Sequence, residues 1–155
     1  MAITSDYKKI IISALLTIGF LAFSNFAVFA TDKPNTKVYG VAIKGYDTVA
    51  YFTDGRAVKG KSEYSYNWND ASWYFSKPEN RNLFAANPER YAPQFRGHCA
   101  YGLAKGMLVE SDPEEWTIVD NRLYMNYNRS LRYSWRQDKT SMIKKAEENW
   151  AEIHN

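Results

Sequence analysis

Apolar and polar residues alternate with period two over Tyr64-Ser65-Tyr66-Asn67-Trp68, which predicts a half-buried strand. Asn69-Asp70 is a turn pair, and Ala71-Ser72-Trp73-Tyr74-Phe75 returns, so the stretch reads as a β-hairpin. A second hairpin follows from Trp116-Thr117-Ile118-Val119, a turn at Asp120-Asn121, and Arg122 to Tyr127, with Leu123 and Met125 on one face and Tyr124 on the other. Between the hairpins, Ser76-Lys77-Pro78-Glu79 predicts a helix start with Ser76 as the cap. That helix carries Leu83-Phe84 inward and stops near Asn87-Pro88, and Pro88 to Tyr91 adds one short helical turn. The C-terminal stretch places Leu131, Trp135, Met142, Ile143, Ala146 and Trp150 at helical spacing, with Asn128 or Ser130 as cap and a break expected between Gln137 and Thr140. The predicted class is α+β: a small single domain of antiparallel β-hairpins packed with helices.

Other stretches are less decisive. Tyr39 to Gly45 reads as a short strand or extended segment. Tyr46 to Phe52 suits either a strand or one helical turn. Met107-Leu108-Val109 is a short strand candidate, and Asp112 to Trp116 is a turn or one-turn helix. Glu114-Glu115 and Lys144-Lys145 read as solvated charges.

The first thirty residues have a different character. Lys8 and Lys9 precede an apolar run from Ile10 to Phe23, and Val28-Phe29-Ala30 offers small residues for cleavage after Ala30. The run is short for a membrane span. Residues 1–30 are therefore expected to be a signal peptide, 31–44 a lead-in and 45–155 the folded domain. The product would be periplasmic or secreted, without stable membrane insertion. Loss of Lys8, Lys9 and Asp6 lowers the net charge from +3 to +2, too mild to argue for nucleic acid.

Chemistry concentrates at Phe95-Arg96-Gly97-His98-Cys99-Ala100-Tyr101-Gly102-Leu103-Ala104-Lys105-Gly106, which holds the chain's one cysteine beside one of its two histidines. A single cysteine closes no internal disulfide. It is buried and inert, reactive, paired with another molecule, or a metal ligand. Thiolate and imidazole suit Cu(I), Cu(II) and Zn(II). Adjacent residues of an extended segment face opposite ways, so His98 and Cys99 share a metal only across a bend. Tyr46 and Asp47 would serve as oxygen ligands if folding brought them near, although an aspartate there also suits a turn cap. Three Cys/His residues after position 30 are too few for a closed four-ligand zinc site. No nucleophile elbow, phosphate loop or dinucleotide fingerprint is present, and a neighbouring Cys-His pair rarely has catalytic geometry, so no enzyme is expected.

Tyr66 to Ser76, Phe84 and Asn87-Pro88-Glu89-Arg90-Tyr91 together resemble the YHS domain. Gly45-Tyr46-Asp47-Thr48-Val49-Ala50-Tyr51-Phe52, Tyr91-Ala92-Pro93-Gln94-Phe95, Gly97-His98-Cys99-Ala100-Tyr101-Gly102, Trp116-Thr117-Ile118-Val119 and Tyr124-Met125-Asn126-Tyr127 are similar to an exported bacterial subfamily of it. The resemblance covers about Gly45 to Trp150 and implies a YHS/TRASH-like core that binds soft metals through cysteines. The two cysteine positions of that pattern fall here on Ala50 and Ser76, so Cys99 would carry any metal. Three functions follow as expectations: a binding domain for copper or zinc using Cys99, His98, Asp47 and Tyr46; a structural or protein-interaction module, with a protein partner or a homodimer, in which Cys99 is inert; and a redox thiol protein.

Overall fold

A computed structural model describes residues 40–153. The expected signal peptide and cleavage site, the lead-in as far as residue 39, and His154 lie outside the described residues. The fold is a small α+β domain with two antiparallel hairpins and six helices among the described residues. In chain order they are α1 (Ala50–Thr53), β1 (Lys61–Trp68), β2 (Ala71–Phe75), α2 (Pro78–Ala86), α3 (Pro88–Tyr91), α4 (Ala100–Ala104), β3 (Asp112–Val119), β4 (Arg122–Asn126), α5 (Arg129–Gln137) and α6 (Lys139–Ile153).

These elements form two units of one design. From the hairpin onward, each element of the second unit begins 51 residues after its counterpart: β1 and β3, β2 and β4, α2 and α5, α3 and α6. Both hairpins turn through two left-handed residues, Asn69-Asp70 and Asp120-Asn121. That geometry matches the strand twist and favours Asn and Asp. Both hairpins also carry one register irregularity at the same place, between Lys61 and Ser65 and between Asp112 and Trp116. The break after the hairpin helix recurs too. Asn87 accepts the amide of Arg90, and Asp138 accepts that of Ser141, each opening the next helix with its side chain.

The entry to each unit is also shared. Residues 42–45 and 94–97 form tight turns in which Ile43-Lys44-Gly45 and Phe95-Arg96-Gly97 all have positive φ. This corrects the extended reading of Tyr39 to Gly45 over its described part. Left-handed backbone is uncommon for a β-branched residue, and burial of Ile43 holds it there. At Gly97, φ is +81° and a Cβ would stand 2.3 Å from Ile43 Cδ1, so glycine lets the two turns pack together. Ala42 and Ile43, within the expected lead-in, belong to the first core.

Local hydrogen bonding decides the short elements. Residues 50–53 take the helical alternative because Asp47 Oδ1 accepts the amides of Val49 and Ala50 at 3.0 and 3.2 Å. Met107 to Val109 forms no strand; the carbonyl of Val109 instead accepts the amide of Cys99. Asp112 to Trp116 is the start of β3, not a turn. Ser76 does not cap α2: the cap position is Lys77, and the Ser76 hydroxyl donates to Asp47. The C-terminal helix divides at Asp138, and Asn128 caps α5.

The first core gathers Trp73, Phe75 and Phe84 with Val49 and Tyr51. Trp73 and Phe84 lie 4.9 Å apart between ring centroids, and their counterparts Tyr124 and Trp135 lie 5.3 Å apart in the second core. β4 serves both cores. Leu123 and Met125 face the first while Tyr124 faces the second, as the period-two pattern predicts. The second strand of the second unit is thus buried on both faces, whereas Tyr74 on the outer face of β2 is only half-buried.

Candidate functional site

Asp47 and Cys99 occupy matching positions, each two residues beyond the glycine of its entry turn and just before a short helix. Asp47 is fully buried and accepts five hydrogen bonds. Oδ1 takes the Val49 and Ala50 amides; Oδ2 takes the Ser76 amide at 2.8 Å, the Ser76 hydroxyl at 2.6 Å and Asn80 Nδ2 at 2.8 Å. One carboxylate therefore ties α1, the end of β2 and α2 together. A carboxylate offers about four lone-pair directions, so this one has none to spare for a metal.

Cys99 makes the same connection with a weaker acceptor. Sγ is fully buried and accepts the amides of Gly102 at 3.4 Å and Tyr127 at 3.3 Å. Tyr127 follows β4 just as Ser76 follows β2, so the amide after the second strand reaches Asp47 in one unit and Cys99 in the other. The thiol hydrogen points to Asn126 Oδ1, at 3.9 Å. Asn126 is fully buried, and its Nδ2 has no hydrogen-bond partner among the described residues. The acceptor is thus softer in the second unit, and one donor beside it is unsatisfied.

His98 and Cys99 diverge, as extended neighbours do. The His98 ring is half-buried, with Nδ1 3.3 Å from the carbonyl of Val109 and its centroid 6.2 Å from that of Trp150. Tyr46 lies beneath the Lys59 ammonium, 4.6 Å from the ring centroid. Its phenol is pushed above the ordinary tyrosine range, first by burial and then by the charge of Glu114 and a hydrogen bond to it. The four residues named from sequence thus divide between the units: Tyr46 and Asp47 in the first, His98 and Cys99 in the second. Among the described residues, no group of three or more His, Cys, Asp or Glu side chains could hold a metal ion.

Sequence reasoning missed three participants: Asn80, which lies on α2 as an ordinary helix residue; Ser76, taken for a cap; and Asn126, placed within a strand. Glu115 is also not a solvated charge. It is 9% exposed and lies 3.0 Å from Arg132 Nε.

Comparison with protein-family models, with curated proteins and with solved structures finds no match.

Proposed function

We propose that this chain is an exported, non-catalytic binding module of YHS/TRASH-like core, built from two units, in which Cys99 is a structural thiol. The observation that carries this reading is the pairing of Sγ, fully buried, with the amides of Gly102 and Tyr127, where the first unit sets Asp47. A thiol that attacks, exchanges or is oxidised must meet its partner. Burial and two local N–H bonds favour a role in tying α4 to the end of β4. The likeness to the YHS pattern is supported by the placement of the aromatic β1–β2 hairpin, Phe84 in the core and the Asn-Pro-x-x-Tyr segment as α3.

One observation favours the second reading, copper or zinc held through Cys99 with His98. The unpaired Nδ2 of Asn126 beside Sγ leaves the surroundings of the thiol polar and incomplete, as a site built for an ionised sulfur would be. Asp47 fits this reading less well, since both its oxygens are already hydrogen-bonded.

Metal analysis of the untagged protein from its native compartment, beside Cys99→Ala, separates the two. The structural reading expects no stoichiometric metal in either protein and a less stable variant. One copper or zinc per chain, lost in Cys99→Ala with the fold retained, overturns it.

A further inference from the structure

The two units also differ on their surfaces. On α5, Arg129, Arg132, Tyr133, Arg136 and Gln137 line a groove of about 540 Å³. The matching residues of α2 are Pro78, Arg81, Asn82, Ala85 and Ala86. Arginine is shared at one of these positions, and Arg132 has an evident role in the fold. Its Nε lies 3.0 Å from Glu115, and Nη1 donates to the carbonyl of Trp116 at 3.3 Å. The α2 face serves an equivalent helix without two further arginines and a tyrosine, so packing does not require Arg129, Tyr133 and Arg136. All three are exposed: the Arg129 side chain to 89% and Tyr133 to 68%. Arg136 has no ion-pair partner among the described residues.

We propose that this α5 face is a docking surface for an acidic peptide segment of a partner protein, with Arg129 and Arg136 binding its carboxylates and Tyr133 packing between them. The inference rests on the chain being a binding module and names the partner. Charge complementarity carries it. Three guanidinium groups line the groove, and one carboxylate, Glu115, lies against two of them, 3.0 Å from Arg132 and 3.8 Å from Arg129, which leaves Arg136 without an acidic neighbour among the ion pairs of the described residues. That internal contact shows the pairing of charges the face offers, carboxylate against guanidinium. Arg129 and Arg136 are two helical turns apart, about 10.5 Å along the axis. A peptide in the polyproline II conformation, with three residues per turn and about 3.1 Å per residue, presents carboxylates three residues apart on one face at about 9 Å. One phosphate cannot span that separation, and the face lacks an aliphatic wedge for insertion into lipid. Tyr133, one turn from each arginine, supplies a rigid aromatic anchor of the kind that concentrates binding energy.

The test uses the full-length exported chain and a fluorescent peptide with glutamates at every third position. Anisotropy should report saturable binding that weakens about tenfold in Arg129→Gln/Arg136→Gln and falls steeply as salt rises from about 50 to about 300 mM. Tyr133→Ala should weaken it further, while Arg81→Gln on the matching face of α2 should change nothing. Melting temperatures should agree among these variants. Equal binding of a glutamine version of the peptide, or unchanged affinity in the double variant, overturns the proposal. Binding to vesicles of anionic lipid without binding to the peptide overturns it in favour of a membrane surface. If the peptide fails to bind while Cys99 remains metal-free, this inference falls and the module reading stands. Metal lost with Cys99 defeats the module reading itself.

Discussion

The first unit ties its helices to its hairpin with a carboxylate, and the second makes the same tie with a thiol. Asp47 receives five hydrogen bonds from three segments; Cys99 receives two and leaves the amide of Asn126 unpaired. The backbone accommodates either because the donors come mainly from fixed positions: amides at the start of the short helix and the amide just after the second strand. The comparison shows how a cysteine can be fully buried in the place where the other unit sets a carboxylate. It also shows where each unit must gain its stability. The first relies on a polar staple and an aromatic core. The second adds burial of both faces of β4, through Leu123 and Met125 on one side and Tyr124 on the other.

The strongest way to break the comparison is Asp47→Ala. Five donor contacts would lose their acceptor, and each buried unsatisfied group costs about 1–3 kcal/mol. The sum, at least about 5 kcal/mol, is comparable to the whole stability of a small domain. The variant should be largely unfolded by circular dichroism at 25 °C. Next in size are Phe84→Ala and Trp135→Ala, matched core residues that are both fully buried. Each should cost about 3–5 kcal/mol in urea titrations. Similar losses would support two equivalent cores; a loss confined to one would oppose it. Cys99→Ala should be milder, about 1–2 kcal/mol, because sulfur is a weak acceptor and a small cavity remains. If it costs as much as Asp47→Ala, the ranking of the two staples is wrong.

A smaller effect concerns alkaline pH. Tyr51 and Tyr124 are held above the ordinary tyrosine range, chiefly by burial, and Tyr46 shares the direction. Their folded forms bind the proton more tightly than the unfolded chain does. Stability from this source is therefore complete below about pH 10 and declines as pH rises beyond it. Urea midpoints should be flat from neutral pH to about pH 9 and then fall, less steeply in Tyr51→Phe. A midpoint that rises above pH 10 would contradict the assignment.

Much of the framework was legible in the chain. Period-two aromatics marked β1 and β2, and turn pairs of Asn and Asp marked both hairpins. The face assignment of Leu123, Tyr124 and Met125 agrees with the two cores. The duplication was not legible, because it lives in geometry. Between residues 61–91 and 112–142, the identical pairs are Glu63 with Glu114 and Arg81 with Arg132. Apolar size is exchanged between Phe84 and Trp135, and the strand faces are rewritten because β4 is covered on both sides. The left-handed turns at Ile43-Lys44 and Phe95-Arg96 were equally invisible, since packing overrides the local preference of those residues. For the site, sequence named Asp47 and Cys99 as candidate ligands of one metal, and the structure sets them at matching positions of the two units. Their partners, Ser76, Asn80 and Asn126, are distant in sequence, and nothing in local pattern marks a residue that serves a buried acceptor from another element.

The most direct measurement is the rate at which Cys99 reacts with an aromatic disulfide reagent, followed across a urea titration. The account predicts no reaction of the native chain on the timescale of mixing. One thiol per chain should emerge along the global unfolding curve, because Sγ is enclosed between α4 and the end of β4. Immediate reaction of one thiol per chain in native buffer would contradict it and return Cys99 to the exposed, reactive class.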